Sequence, residues 1–450
     1  MAKQSNLAKQ ASLPDFMYDV GDRIGLLKRV LKTLGNPDKR FKIIHICGTN
    51  GKGSTATMIA AILHQLNYQV GAFTSPFIGT MYNGIQRNFA DISKSEFNDE
   101  MRQIRQVMAR SAFRNETLSE FEAQFIVAML FFADHPVDYV VLECGLGGEL
   151  DATNAVSDTM YSVFTEIGLD HLGILGDTVT EIATTKSKII RPGNTTITAP
   201  HQRSEVFQIL KSQAKTKQAT FISADTVQLT ATQGVDLKRV INFQSTIKGR
   251  IQGQFMFGLP GTYQLQNLQT VLTWLNDFVA EVKIPCQHLD ETLTAALSEL
   301  VVPGRFERIS TRPTIFLDGG HNPDGVKAFV TSVNELYRSR PKIIINGFLK
   351  DKEYQSAVKS LLTLKNASFI VTEPQNQKRE LDALKLSQVY QQLTDKPVQT
   401  FESPIDALKE AIYRTHEFND EPITFVIGSF YLLNPIRSYI LTKGVDFHEN

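Results

Sequence analysis

The chain has 450 residues, with 47 Lys+Arg against 47 Asp+Glu and a formal net charge of zero. That excludes a nucleic-acid or anionic-membrane partner held by bulk charge, and leaves only a local basic funnel for a small anion. An apolar fraction of 42% with 28 Phe fits a soluble globular enzyme of two or three domains.

The start, MAKQSNLAKQASLPDF, has no apolar signal-like run, and no eighteen-residue apolar stretch occurs, so a cytoplasmic protein is expected. From Lys42 short β-branched runs alternate with amphipathic segments. KIIHIC (42–47) reads as a strand, 54–67 as a helix and YQVGAFT (68–74) as a strand. Residues 119–135 read as a helix, VDYVVLEC (137–144) and MYSVFTEI (160–167) as strands. Apolar strands separated by helices predict a parallel sheet covered on both faces, with sites at the carboxyl ends of its strands. Between about 224 and 257 the segments shorten and alternate, which predicts a few antiparallel strands. Helices follow over 263–282 and 290–300. A Pro-Gly break in VVPGRFERI (301–309) marks a boundary near residue 301. Beyond it TIFLDGG, KIIING, SFIVTE and ITFVIGS read as strands of a second α/β unit. The expected fold is therefore α/β, in two parts. Residues 1–300 form a P-loop-type, mostly parallel sheet domain with a small antiparallel piece. Residues 301–450 form a smaller, Rossmann-like domain.

Cys47, Cys144 and Cys286 are too few and scattered for a disulfide framework or a metal-ligand spacing. Cys47 and Cys144 end apolar runs and read as small buried hydrophobes. GTNGKGS (48–54) departs from the standard G-x-x-x-x-G-K-[ST] loop, since Ile46 stands where its first glycine belongs and Gly53 separates Lys52 from Ser54. Its place between a strand and a helix, with three glycines and a lysine, still suits an anion facing backbone N–H groups. Glu143 ends a buried strand beside CGLGG, where a carboxylate can hold Mg²⁺ near phosphates. Asp170 and His171 arrive at the same sheet edge, and Asp318 and His321 lie in DGGHNPDG after a second-domain strand. Taken singly, His171 reads more readily as a capping or packing histidine than as a ligand, and Lys186 as a helix-surface lysine.

In order, GTNGKGS, TSPF (74–77), FE (121–122), ECGLGGELDATN (143–154), LDHLGILGDT, PGRFE (303–307) and DGGHNPDG resemble the folylpolyglutamate synthases and dihydrofolate synthases, which are Mur-ligase-like ATP-dependent amide ligases. The resemblance spans residues 42–436. It implies that ATP phosphorylates the carboxylate of a pterin-linked substrate and that the amine of L-glutamate attacks the acyl phosphate. Two anions must meet, so cations and oriented dipoles matter more than a nucleophilic side chain.

By this resemblance Asn50, Gly51, Lys52, Gly53 and Ser54 cradle the phosphates. Asn267, Arg305, Asp318 and His321 complete the ATP site. Ser75, Glu143 and His171 are the Mg²⁺ positions, joined by Lys186 as a carbamate. Lys52, Glu143, His171 and Lys186 form the catalytic set. Ser119, Phe121, Glu122, Leu150, Asp151 and Ala152 line the folate pocket. The implied cofactors are ATP and one or two Mg²⁺ ions, with a monovalent-cation requirement left open. The partners are folate or dihydropteroate, glutamate and ATP, with no nucleic acid and no membrane. A monomer is expected, with interdomain closure about residues 301–304.

The sequence departs from the family pattern in three places. Tyr263 replaces a histidine. YNGI (82–85) replaces an acidic–basic pair. Lys188 follows Lys186 where glycine is common, and should oppose protonation of Lys186 or crowd it. Two other readings remain at this stage: a Mur-type ligase on another acceptor, and an inactive nucleotide-binding paralogue. The forty residues before Lys42 are too few for a UDP-binding domain, which disfavours the cell-wall ligases.

Overall fold

The structure is a computed structural model that describes residues 17–18, 20–246, 251–418 and 420–445. Its largest sheet contains β1 (Lys42–Cys47), β2 (Val70–Phe73), β3 (Ile85–Arg87), β4 (Ala90–Asp91), β5 (Tyr139–Glu143), β6 (Tyr161–Phe164), β7 (Thr195–Thr198) and β8 (Thr220–Ser223). Their order is β4-β3-β2-β5-β1-β6-β7-β8, parallel except for the antiparallel β2–β3–β4 edge. Ile43, Ile44 and Ile46 are buried, as a strand covered on both faces requires. With β1 between β5 and β6, the loops leaving all three open on one edge.

The antiparallel piece is β9 (Val227–Gln233), β10 (Arg239–Ser245) and β11 (Gln252–Phe257). The Gln264–Glu281 helix returns from it and buries Trp274 and Phe278, stacked at 4.9 Å between ring centroids. The last sheet contains β12 (Glu307–Thr311), β13 (Thr314–Asp318), β14 (Lys342–Gly347), β15 (Ala367–Thr372), β16 (Val398–Phe401) and β17 (Ile423–Gly428). It runs β12-β13-β17-β14-β15-β16, and only β12 pairs antiparallel. The expected α/β architecture is thus present.

Two helices differ from expectation by more than one residue at an end. The loop helix is Lys52–Gln65 rather than 54–67, because Gly51, at φ 92°, already serves as its N-cap. A side chain there would strike Asn267 Oδ1, so glycine is required both for the backbone and for the approach. The helix expected over 290–300 is Leu289–Leu297. Cys47 and Cys144 are buried as expected, whereas Cys286 is exposed.

Among the described residues, no helix is long and apolar enough to cross a membrane.

Candidate active site

The carboxyl ends of the first and last sheets face a cleft of about 1040 Å³. Its floor is the loop 48–54. The first N–H groups of the Lys52–Gln65 helix have no intrahelical acceptor and lie at this wall. Lys52 Nζ donates to Thr49 O at 3.2 Å, and Gln264 Nε2 donates to Ser54 Oγ at 3.0 Å. Asn267 Nδ2 in turn donates to Gln264 Oε1. Gln264 and Asn267 together tie the phosphate loop to the Gln264–Glu281 helix.

Glu143 leaves β5 at the same edge, only 2% exposed, and its Oε2 accepts the Ser75 N–H at 3.0 Å. Burial pushes its carboxyl up to about 7, although Lys52, the Ser75 N–H and Arg305 oppose the shift. A buried carboxylate left short of positive charge is suited to receive a cation. Among the described residues no three His, Cys, Asp or Glu side chains form a ready-made metal cluster. A cation here would therefore rely on Glu143 together with oxygens brought by the nucleotide. Ser75 contributes its backbone N–H to Glu143 in this structure.

After β6 the chain places Asp170 and His171 at the cleft. Asp170 accepts from Lys352 Nζ at 2.6 Å and from Asn322 Nδ2 at 3.3 Å, and lies 3.7 Å from His171 Nε2 and 3.8 Å from His321 Nε2. Burial works against its charge, but His321 and Lys352 hold its carboxyl well below the usual range. Burial, assisted by Lys352, His321 and Lys52, lowers His171 to about 4 against the pull of Asp170, so its imidazole is neutral near pH 7. Asn322 also donates to Asn50 Oδ1 at 3.0 Å. The loops after β1 and β6 of the first sheet are thereby joined to the last-sheet side of the cleft.

Asp318, at the end of β13, accepts from Tyr263 Oη at 2.7 Å, Phe306 N at 3.0 Å and Gly320 N at 2.8 Å. Burial raises its carboxyl despite Tyr263 and Arg305. The Arg305 guanidinium lies over the Phe430 ring, 4.6 Å from its centroid.

Residues 46–275 match the Mur ligase middle domain, and residues 304–429 match the Mur ligase glutamate ligase domain. The dihydrofolate synthase/folylpolyglutamate synthase of Bacillus subtilis is 32% identical over 431 residues, covering 93% of this chain and 95% of that protein. The chain belongs to the folylpolyglutamate synthase/dihydrofolate synthase family of Mur ligases. The folylpolyglutamate synthase of Lacticaseibacillus casei is 28% identical, covering 92% of this chain and 93% of its own. The solved folylpolyglutamate synthase of Mycobacterium tuberculosis, complexed with ADP and AMPPCP, aligns with a TM-score of 0.83 at 25% identity, over 92% of this chain and 94% of that one. The protein is accordingly an ATP-dependent ligase.

The cleft wall includes Asn50, Gly51, Lys52, Gly53, Ser54, Ser75, Glu143, His171, Asn267, Arg305, Asp318 and His321 from the set expected for this family. It also includes Ser119, Phe121, Glu122, Leu150, Asp151 and Ala152. Several of these are tied up internally. Glu122 forms a buried ion pair with Arg23 and accepts the Ser119 N–H at 2.7 Å. Asp151 accepts the Leu146 N–H at 2.6 Å and the Thr153 N–H at 3.0 Å, which shapes the 145–152 turn. Phe121 packs on Phe73 at 5.6 Å and presses so close to Gly145 that a side chain there would collide with its ring.

Lys186 does not reach the cleft wall. It lies beneath the loop, and its Nζ donates to Gly48 O at 2.8 Å. Burial lowers its pKa, and the nearby ammonium that adds to this is that of Lys52. Lys188 instead caps the C-terminus of the Val179–Ser187 helix, so it is not the neighbour that tunes Lys186. In the YNGI segment, polar bonds occupy the place of the missing charge pair. Asn83 Nδ2 donates to Asp91 at 2.6 Å, Asn83 Oδ1 accepts the Thr80 N–H at 2.7 Å, and Tyr82 packs edge-on against Phe97.

The sequence reading missed Asn322, Lys352, Gln264 and Arg23, and gave Asp170 no role. Lys352 carries no local signal, being one of two lysines in the charged stretch KDKEY. Gln264 had one, since it stands beside the departure at Tyr263.

Replacing Asp170 by Asn removes the charge that Lys352 and His321 meet across the cleft. We expect kcat to fall by about 10- to 100-fold, as for a displaced positioning group, with MgATP affinity changed less. Steady-state kinetics beside direct nucleotide titration separates the two, and an unchanged kcat would refute a role in closure.

Proposed function

We propose that the protein adds L-glutamate to the γ-carboxylate of a reduced folate through an acyl phosphate, and that dihydropteroate can accept glutamate in the same cleft. The observation that carries this reading is the single cleft. It sets a phosphate loop and helix N-terminus, the uncompensated carboxylate of Glu143 and an aromatic pocket around Phe121 against the cationic edge of the last sheet. The relatives' names supply the substrate class.

In this reading the loop N–H groups and Lys52 hold the triphosphate, and Asn267, Arg305, Asp318 and His321 hold the rest of the nucleotide. Phe121 and the 145–152 turn present the pterin, and Lys352 stands at the side from which glutamate enters. Glu143, with its Ser75 partner, would hold Mg²⁺, which when bound supplies Lewis-acid neutralisation of the phosphate oxygens. Lys186 as a carbamate remains a proposal for a second ion, and the ammonium bond to Gly48 is what the uncarbamylated form makes. We place the ATP-binding unit in residues 1–300 and the closing unit in 301–450. The two Mur-domain matches, ending at 275 and beginning at 304, support that division. A cytoplasmic monomer accords with this chemistry.

The test is incorporation of labelled glutamate by purified protein with MgATP and tetrahydrofolate, dihydropteroate or no acceptor. Incorporation is expected with tetrahydrofolate and absent without an acceptor. ATP binding with no ligation to either pteridine would instead identify a catalytically silent paralogue.

A further inference from the structure

The ligation chemistry makes no use of two thiols that lie directly beneath the phosphate loop. Cys47 closes β1 and Cys144 follows β5. The parallel ladder pairs Ile46 with Glu143, and the Cys144 N–H donates to Ile46 O at 2.9 Å, so the next opposed residues are the two cysteines. Neighbouring strands lie about 4.8 Å apart, inside the ~4.4–6.8 Å Cα span that a disulfide bridges. The side chains share one face. Cys47 Sγ donates to Gly147 O at 3.0 Å, while Cys144 Sγ sits 3.1 Å from His45 Nε2 and 3.6 Å from Thr153 Oγ1.

We propose that Cys47 and Cys144 form an oxidisable dithiol, a modification site whose disulfide deforms the phosphate loop and stops nucleotide binding. The oxidant is hydrogen peroxide. One sulfur, taken as that of Cys47, attacks a peroxide oxygen, the O–O bond breaks, and water leaves a sulfenic acid. The Cys144 sulfur then displaces the second water. Two electrons pass to the peroxide, and the two thiol hydrogens leave in the two waters. Forming the bond pulls Cys47 Sγ from Gly147 O. Cys47 is joined to Gly48, whose carbonyl holds Lys186, so the pull enters the loop at its first residue. At the other end Cys144 begins the turn against Phe121. Both thiols are almost fully covered, so the oxidant reaches them when these loops open, and bound nucleotide should slow the reaction.

The test uses the full chain carrying Cys286→Ser, which removes the exposed thiol and leaves the pair unaltered. Hydrogen peroxide is expected to remove two hydrogens from the intact mass and to give a Cys47–Cys144 linked peptide without reductant. MgATP affinity should weaken at least about tenfold, dithiothreitol should restore it, and MgATP added beforehand should delay the loss. Cys144→Ala in the same background should keep basal activity and show no reversible loss. Absence of the linked peptide, or a linked protein of unchanged MgATP affinity, overturns the proposal. Both readouts come from the unaltered pair, so the result stands even where Cys144→Ala fails to fold.

Discussion

Glu143→Gln abolishes turnover, by about 10³-fold or more, while making the nucleotide-free protein more stable at pH 8. The two effects share one cause. Burial raises the Glu143 carboxyl to about 7, above the ordinary value near 4.5. Below about pH 4.5 both folded and unfolded chains hold the proton, and this group costs nothing. As pH rises from there to about 7, only the unfolded chain releases it, so the folded state loses stability, and above 7 the loss is constant. The shift corresponds to roughly 3 kcal/mol. Glutamine keeps the shape without the charge, which flattens this part of the pH profile and removes the cation's partner. Thermal unfolding of both proteins across pH 4–8, without and with MgATP, is the measurement. A variant with wild-type turnover, or one destabilised at pH 8 without nucleotide, would show that Glu143 does not wait for a cation.

Lys52→Ala is expected to cost about 10³-fold in kcat/KM for ATP, with folding intact. Lys52 is the first residue of its helix, and its ammonium hydrogen-bonds to the loop carbonyl of Thr49, so removing it opens no cavity in the core. Lys52→Arg should not rescue, because a planar guanidinium cannot enter a loop shaped around a compact ammonium. Binding of the folate substrate, measured alone, should change little in either variant. Equal losses for nucleotide and folate would point to general collapse of the cleft.

Strands β1, β2, β5, β6, β13, β14, β15 and β17 were legible as short apolar runs bounded by turn residues, whereas short or polar strands such as β3, β4, β7 and β8 were not; the loop 48–54 was legible because glycines and lysine sit between a strand and a helix. Glu143 was legible for the same reason, as a charge at the end of an apolar run. What escaped were residues whose role comes from the approach of two distant segments. Asp170 and Lys352 are 182 positions apart, and Arg23 and Glu122 are 99 apart. No period or spacing encodes such pairs; they exist only after the sheets are packed. Lys186 was recognised by resemblance, yet a lysine inside ATTKSKII gives no sign that its amine will be buried under Gly48.

The Arg23–Glu122 pair has a practical corollary. Arg23 stands in the Arg23–Thr33 helix, ahead of residue 46, where the Mur middle-domain match begins. Besides meeting Glu122, its guanidinium donates to Thr117 O at 2.7 Å, so it fastens the start of the very helix that carries Phe121. A chain trimmed to the recognisable ligase core would keep its grip on ATP and lose its grip on the vitamin, becoming a nucleotide binder with a slack acceptor pocket. The helix ahead of the recognisable ligase core thus braces, through Arg23, the segment that we propose presents the pterin.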